Sequence, residues 1–319
     1  MTPQEIPTAN AAHPAIACFG AVHMDTITHA RRPIQADTST PATMSDTPGG
    51  VATNVARALA RLDVNVQLFG TCGDDPAGQS LKILLQDDGV RTLLTQRPGM
   101  TTGRYIAFHN PDGGLISACV DDLILETAPA HLFDEAMQTA AGLATAAWWF
   151  ADANLPAALL ERLSQMCPAG KLAVDGVSQA KAGRLVPILD RIGILFLNVA
   201  EARAVLAAAT KSDFHDVDRC DRKELAARLL QLGPDTVLIT DGASGVYWTT
   251  TKQEANLPAE PAKIVDTTGA GDALIAGTLA GLAHGAQFAD AAVMGIGAAR
   301  QTLASAGAVA PTLSLSSLK

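Results

Sequence analysis

Short apolar runs, each closed by a polar residue and followed by a helical repeat, recur along this chain. Ala15-Ile16-Ala17-Cys18-Phe19-Gly20-Ala21-Val22 predicts a buried strand that runs out at His23-Met24-Asp25. Residues 64–70 alternate as a strand should. They lead through Gly73-Asp74-Asp75-Pro76-Ala77-Gly78 into a helix over 79–86. From residue 130 onward the alternation becomes regular. Apolar runs at 146–151, 172–174, 194–197 and 236–239 stand before Asp152 and Asn154, Asp175, Asn198, and Thr240-Asp241-Gly242. That order predicts an α/β protein with a doubly wound, mainly parallel sheet. Its polar groups fall at one edge, where such sheets bind ligands.

Two stretches break the rhythm. Residues 26–47 are rich in Thr, Pro, Asp and Ser with weak alternation, and suggest exposed strands or a loop. The β-rich runs 101–109 and 115–120 flank Asn110-Pro111-Asp112-Gly113-Gly114 and predict a hairpin. Together the two stretches predict a small β-sheet standing off the main domain. Residues 1–14, with Pro3, Pro7 and Pro14 and no basic start, are expected to be a disordered tail rather than a signal peptide. One domain over 15–312 and a C-terminal tail over 313–319 complete the expected organisation.

Composition narrows the class. Hydrophobic residues make up 48% and charged residues 17%, as in a soluble, Ala-rich α/β enzyme. A net charge of −9 argues against nucleic-acid or acidic-membrane partners. The apolar run 15–22 is too short to span a bilayer. Five scattered cysteines, with no CxxC spacing, support neither a disulfide framework nor a zinc site and fit a reducing cytoplasm.

The candidate chemistry centres on Ile264-Val265-Asp266-Thr267-Thr268-Gly269-Ala270-Gly271-Asp272-Ala273-Leu274. It reads as a strand end, a glycine turn and a helix start. The first backbone N–H groups of a helix lack intrahelical partners, and its dipole adds positive character, so the turn suits an anion. Asp272 beside such an anion has a use if it accepts a proton from an attacking hydroxyl. Asp is also a good helix cap, and the residues alone leave both readings open.

Asp266-Thr267-Thr268-Gly269-Ala270-Gly271-Asp272-Ala273 resembles the C-terminal signature of the ribokinase-like (PfkB) sugar and nucleoside kinases. The resemblance implies the ribokinase-like fold, with 26–47 and 101–120 as a lid over the sugar and sometimes a dimer contact. It implies that Gly269, Ala270 and Gly271 form the anion hole and that Asp272 is the catalytic base. Gly20 with Asp25, and Gly49-Gly50 with Asn54, match the family's acceptor-binding motifs. There the glycines admit the sugar, and Asp25 and Asn54 bind its hydroxyls. Asn198-Val199-Ala200-Glu201 matches Asn-x-x-Glu. Asn198 is thereby expected at the ATP and Glu201 at magnesium through water. Thr240, Gly242 and Gly245 match a turn that passes nucleotide phosphates. Asp266 and Thr268 match a monovalent-cation site, such as one for K⁺, completed by carbonyls from 304–307. The small-residue run 291–308 is expected to line the adenine pocket.

The segment Val174-Asp175-Gly176-Val177-Ser178-Gln179-Ala180-Lys181 departs from the sugar-kinase pattern. With Asp152, Asn154 and Thr102 it resembles the pseudouridine-kinase branch. That implies an ATP-dependent transfer to the 5′-hydroxyl of pseudouridine, with Thr102, Asn154, Asp175 and Lys181 near the acceptor and His109 available to the base. A free-sugar kinase of the same family is the alternative. A dinucleotide oxidoreductase is disfavoured because no Gly-x-Gly-x-x-Gly follows the first strand, and Walker A is missing because Gly170-Lys171 runs into Leu172. A binding protein that has lost catalysis is disfavoured by the intact Asp272.

Overall fold

Strand β1 (Ala15–Phe19) lies inside a nine-stranded sheet, third from one edge. The computed structural model describes residues 15–211 and 217–318; the expected tail at 1–14 lies outside them. After β1 come β2 (His23–Ala30), β3 (Ala42–Gly49), α1 (Val51–Arg61), β4 (Asn65–Cys72), α2 (Pro76–Asp87) and β5 (Arg91–Gln96). Then follow β6 (Arg104–His109), β7 (Leu115–Asp121), α3 (Leu123–Glu126), α4 (Asp134–Thr139), β8 (Trp148–Asp152), α5 (Ala157–Met166) and β9 (Leu172–Asp175). The remainder holds β10 (Ile194–Asn198), α6 (Val199–Thr210), α7 (Arg222–Leu230), β11 (Thr236–Thr240), β12 (Val246–Thr250), β13 (Glu254–Leu257), α8 (Ala270–Ala283) and α9 (Phe288–Leu303).

The large sheet runs β13-β12-β11-β10-β9-β8-β1-β4-β5, and its pairs are parallel except for the last hairpins at the β13 edge. From β1 the chain winds outward through β4 and β5, then returns to β8 and winds the other way. The switch point therefore lies between β1 and β8, where a crevice opens at the carboxyl ends of the strands. Successive residues of β1 feed opposite cores. Ala17 and Phe19 pack under α5 and α6 with Phe69 and Trp149, and Ile16 and Cys18 pack under α1, α8 and α9 with Leu68 and Phe150. Burial on both faces explains why these runs read as continuous apolar stretches.

The second sheet is β3-β2-β6-β7, the small sheet expected from the irregular stretches. It begins earlier than the sequence suggests. Asp25 belongs to β2 of this sheet rather than to the end of the first large-sheet strand, because β1 stops at Phe19 and β2 starts at His23. The residues set apart as a C-terminal tail are part of the fold as far as Leu318. Leu313 is buried, Leu318 packs on the α9 side of the core, and Gln301 donates to Ser317. Among the described residues no helix is long and apolar enough to cross a membrane.

Candidate active site

Two helix starts face each other across the switch point. Helix α8 opens on Gly269, whose φ of +75° suits glycine, and a Cβ there would collide with the backbone of Ala308. Above Gly271 an added Cβ would meet nothing within 4 Å, so the turn is open on the side a ligand must use. Asp272 follows in the first helical turn, half-buried. Opposite, α1 opens on Gly50, with φ +98°. Asn54 stands one turn in, buried, and its Nδ2 donates to Oδ2 of Asp272 at 2.8 Å.

Asp25 completes the group. Its carboxylate lies over Gly49 so closely that a Cβ there would fall 1.9 Å from Oδ2. Gly49 thus makes room for Asp25. Oδ1 of Asp25 and Oδ1 of Asn54 are both buried acceptors with no partner. Buried polar atoms are nearly always bonded, so two orphans on the groups around Asp272 stand out as candidate ligand contacts. Burial pushes the Asp25 carboxyl up to about 7, with Arg57 opposing and Asp272 adding to the rise. Burial likewise lifts Asp272 to about 7; the Asn54 bond opposes this, and Asp152 and Glu201 reinforce it.

Asp152, at the end of β8, carries more of the architecture than its sequence position suggests. It is fully buried and accepts from the N–H groups of Ala21, Ala52 and Asn154 at 3.1, 2.8 and 3.0 Å. Ala52 lies in the first turn of α1, so Asp152 caps that helix from another strand and fixes the mouth that carries Asn54. No local spacing signals this bond, which spans 100 positions.

On the nucleotide side, Asn198 and Glu201 form a capping box at α6. Asn198 accepts from the Glu201 N–H at 2.9 Å, and Glu201 accepts from the backbone and side chain of Asn198. Asn198 thereby holds Glu201 in place while remaining exposed itself. Glu201 is buried, and burial raises its carboxyl despite the Asn198 bonds. Asp175 is held well above the usual carboxylate range by burial, then by the charges of Glu201, Asp272 and Asp152. The next turn is strained: Val177, a β-branched residue, takes φ +62° and donates its N–H to Asp175. Buried carboxylates that repel one another fit a cation among them. Among the described residues no three Asp, Glu, His or Cys side chains converge closely enough to hold a metal directly.

A cavity of about 160 Å³ lies beside the glycine turn, lined by Thr240, Gly242, Gly245, Ala270 and Gly271 and by Ile296, Ala299, Arg300 and Leu303 of α9. This brings the expected phosphate turn and the anion turn to one hollow. Other small residues of α8 and α9 serve helix packing. A Cβ on Gly277 would strike Gly295, and one on Gly281 would strike Ala291, so these positions let α8 and α9 pack closely. Asp266 ties the loops of the expected cation site together, accepting from Thr268 N–H at 2.9 Å and Gly307 N–H at 3.0 Å.

Three acceptor assignments need correction. Thr102 is fully buried; it donates to Asp75 and accepts from the Gly73 N–H, so its hydroxyl is turned into the fold and away from a substrate. Asp75 in turn caps α2 through Gly78, which accounts for the Gly-x-Asp-x-x-Gly spacing. Lys181 is bound to Asp122 at 2.6 Å and to Oδ1 of Asn154 at 3.0 Å, so it positions Asn154 and anchors the end of β7. His109 stacks on His29 at the far end of β6, four residues or about 13 Å along the strand from Tyr105, the neighbour of Asp25.

The model of the pfkB family carbohydrate kinases matches residues 14–314. An uncharacterized sugar kinase of Escherichia coli, YeiI, is 30% identical over 297 residues, covering 92% of this chain and 80% of its own. The pseudouridine kinase of the same bacterium is 26% identical over 95% of each chain. Among solved structures, a ribokinase of Arabidopsis thaliana complexed with ribose and ATP superposes with a TM-score of 0.76 at 21% identity, covering 96% of this chain and 97% of its own.

Proposed function

The chain belongs to the pfkB family of carbohydrate kinases, phosphotransferases that act on hydroxyl groups, and from that premise we propose that it moves the γ-phosphate of ATP to the 5′-hydroxyl of pseudouridine. One observation carries the reading. Asp272, Asp25 and Asn54 converge at the switch point, and two of their buried acceptor atoms have no partner. A sugar supplies hydroxyl donors in just that density. The attacking hydroxyl gives its proton to Asp272, held by Asn54, as it bonds to phosphorus. The negative charge that builds on the transferred group meets the open N–H turn at Gly269, Ala270 and Gly271.

The nucleotide lies along Thr240, Gly242 and Gly245, with its base against α9. Magnesium held through water by Glu201, beside Asp175, neutralises phosphate charge when bound. A monovalent cation such as K⁺ at Asp266, Thr268 and the 304–307 turn would steady the anion turn. The small sheet is the lid, and closing it over the acceptor excludes water. Its outer strand β7 exposes Leu115, Ile116 and Val120 by more than half, a surface suited to a second copy of the chain. The cysteines of the described residues are all free, which fits a reducing compartment.

The pseudouridine assignment rests on the likeness to the Escherichia coli enzyme and on Asn154, held by Lys181. Measuring kcat/KM for pseudouridine, uridine, ribose and fructose with ATP, with mapping of the phosphorylated position, tests it. Pseudouridine 5′-phosphate as the best product supports the reading. A free sugar preferred by a wide margin removes it and leaves the kinase.

A further inference from the structure

His23 opens β2 two residues before Asp25, so both side chains project from one face of the strand. The residue is only 8% exposed, and its Nε2 is buried with no hydrogen-bond partner. The ring is fixed in place. Met24 N–H donates to the Gly103 carbonyl at 2.8 Å, and a Cβ on Gly103 would sit 2.5 Å from Cδ2 of His23. The charged groups facing it are Asp122, Lys181 and Asp121. Of these, Lys181 and Asp122 are joined to each other, and Lys181 also holds Asn154, so that cluster leaves Nε2 unserved. Burial holds the imidazole down at about 4, helped by Lys181 and opposed by the two aspartates, so the ring is neutral at pH 7.

We propose that His23 recognises the heterocycle of the acceptor, its Nε2 accepting a hydrogen bond from N1–H of pseudouridine, the ring N–H one carbon removed from the glycosidic carbon. The inference rests on the acceptor reading above. Position explains why His23 meets the ring and not the sugar. Asp25 and Asn54 carry their orphaned oxygens on the groups around Asp272, and His23 lies two residues, about 7 Å, away along β2, facing Lys181, which bonds Asn154. A neutral imidazole with Nδ1 protonated offers Nε2 as an acceptor. Pseudouridine joins its ring to ribose through C5 and therefore keeps a hydrogen on N1, across C6 from that bond. Uridine has the same outline but places a C–H there, which leaves the buried Nε2 unpaired. Sites that bond a substrate N–H reject the isostere lacking it by large factors, up to ~10⁴.

The test compares kcat/KM for pseudouridine and uridine in three proteins: the wild type, His23→Phe, which fills the space without an acceptor, and Gly103→Ala, which displaces the ring without removing it. The wild type is expected to prefer pseudouridine by at least ~10²-fold. His23→Phe should bring the ratio close to one, and Gly103→Ala should lower it, with the KM for ATP unchanged in both. If both variants keep the wild-type ratio, His23 does not read the ring and the assignment falls, while the pseudouridine reading stands. If the wild type prefers ribose or fructose, both fall together.

Discussion

Asn54 Nδ2 donates to Oδ2 of Asp272 across 2.8 Å, joining the first turn of α1 to the first turn of α8 over 218 positions of sequence. The bond stabilises the ionised form of Asp272 and aims one oxygen, while burial and the charges of Asp152 and Glu201 work against ionisation. In Asn54→Ala the opposing forces act alone, and the carboxyl rises further above about 7. The acid limb of the kcat profile should move to higher pH, and kcat at pH 7 should drop by ~10- to 10²-fold. An unchanged limb in Asn54→Ala would mean that this bond does not tune Asp272.

Thr102 separates architecture from recognition. Thr102→Val leaves the buried Gly73 N–H without its acceptor and removes a bond to Asp75. Stability should fall by about 1–3 kcal/mol in denaturant titration, with kcat/KM for the acceptor unaltered. A selective loss of acceptor affinity with full stability would return Thr102 to the substrate site.

Glu201→Gln keeps an oxygen for the Asn198 N–H and removes the charge. The helix cap should survive, with Tm close to wild type. The magnesium concentration giving half-maximal rate should rise by ~10-fold or more, the scale seen when groups around a metal are changed. Wild-type magnesium dependence would place the metal elsewhere.

Asp272 also makes stability depend on pH. Its folded pKa of about 7 exceeds the ordinary 3.8, so between these values the folded protein binds more protons than the unfolded chain. Stability due to this group is therefore highest below 3.8 and is lost as pH rises toward 7. Asp272→Asn, which carries no charge, should melt higher than wild type at pH 8. That advantage should shrink steadily as pH is lowered through 7 toward 4. A variant that melts lower than wild type at pH 8 would show that the ionised carboxylate is not a cost to the fold.

Much of this site is local, and local features are legible. The glycine turn with Asp272, the Gly49-Gly50 opening with Asn54, and the polar residues ending β8 to β11 all announce themselves by spacing. What stays hidden depends on partners distant in sequence. Asp152 reads as a polar strand end, yet it caps α1 through Ala52. Thr102 reads as a lid residue, yet its hydroxyl is spent on Asp75 and Gly73. Lys181 reads as a residue near the acceptor, yet Asp122 and Asn154 hold it. His23 looks like an ordinary strand residue, and only its buried, unpartnered Nε2 distinguishes it. The small residues of α9 suggested a pocket wall, whereas the same composition also lets two helices approach.

Asp272 as the proton acceptor is the centre of this account, and turnover of Asp272→Asn measures it most directly. Asn keeps the size and the contact with Asn54 but cannot take a proton at neutral pH. With saturating ATP and the preferred acceptor, kcat should fall by at least ~10²-fold, while the Kd for ATP stays near the wild-type value. A folded Asp272→Asn protein that turns over at a near-normal rate would contradict the assignment.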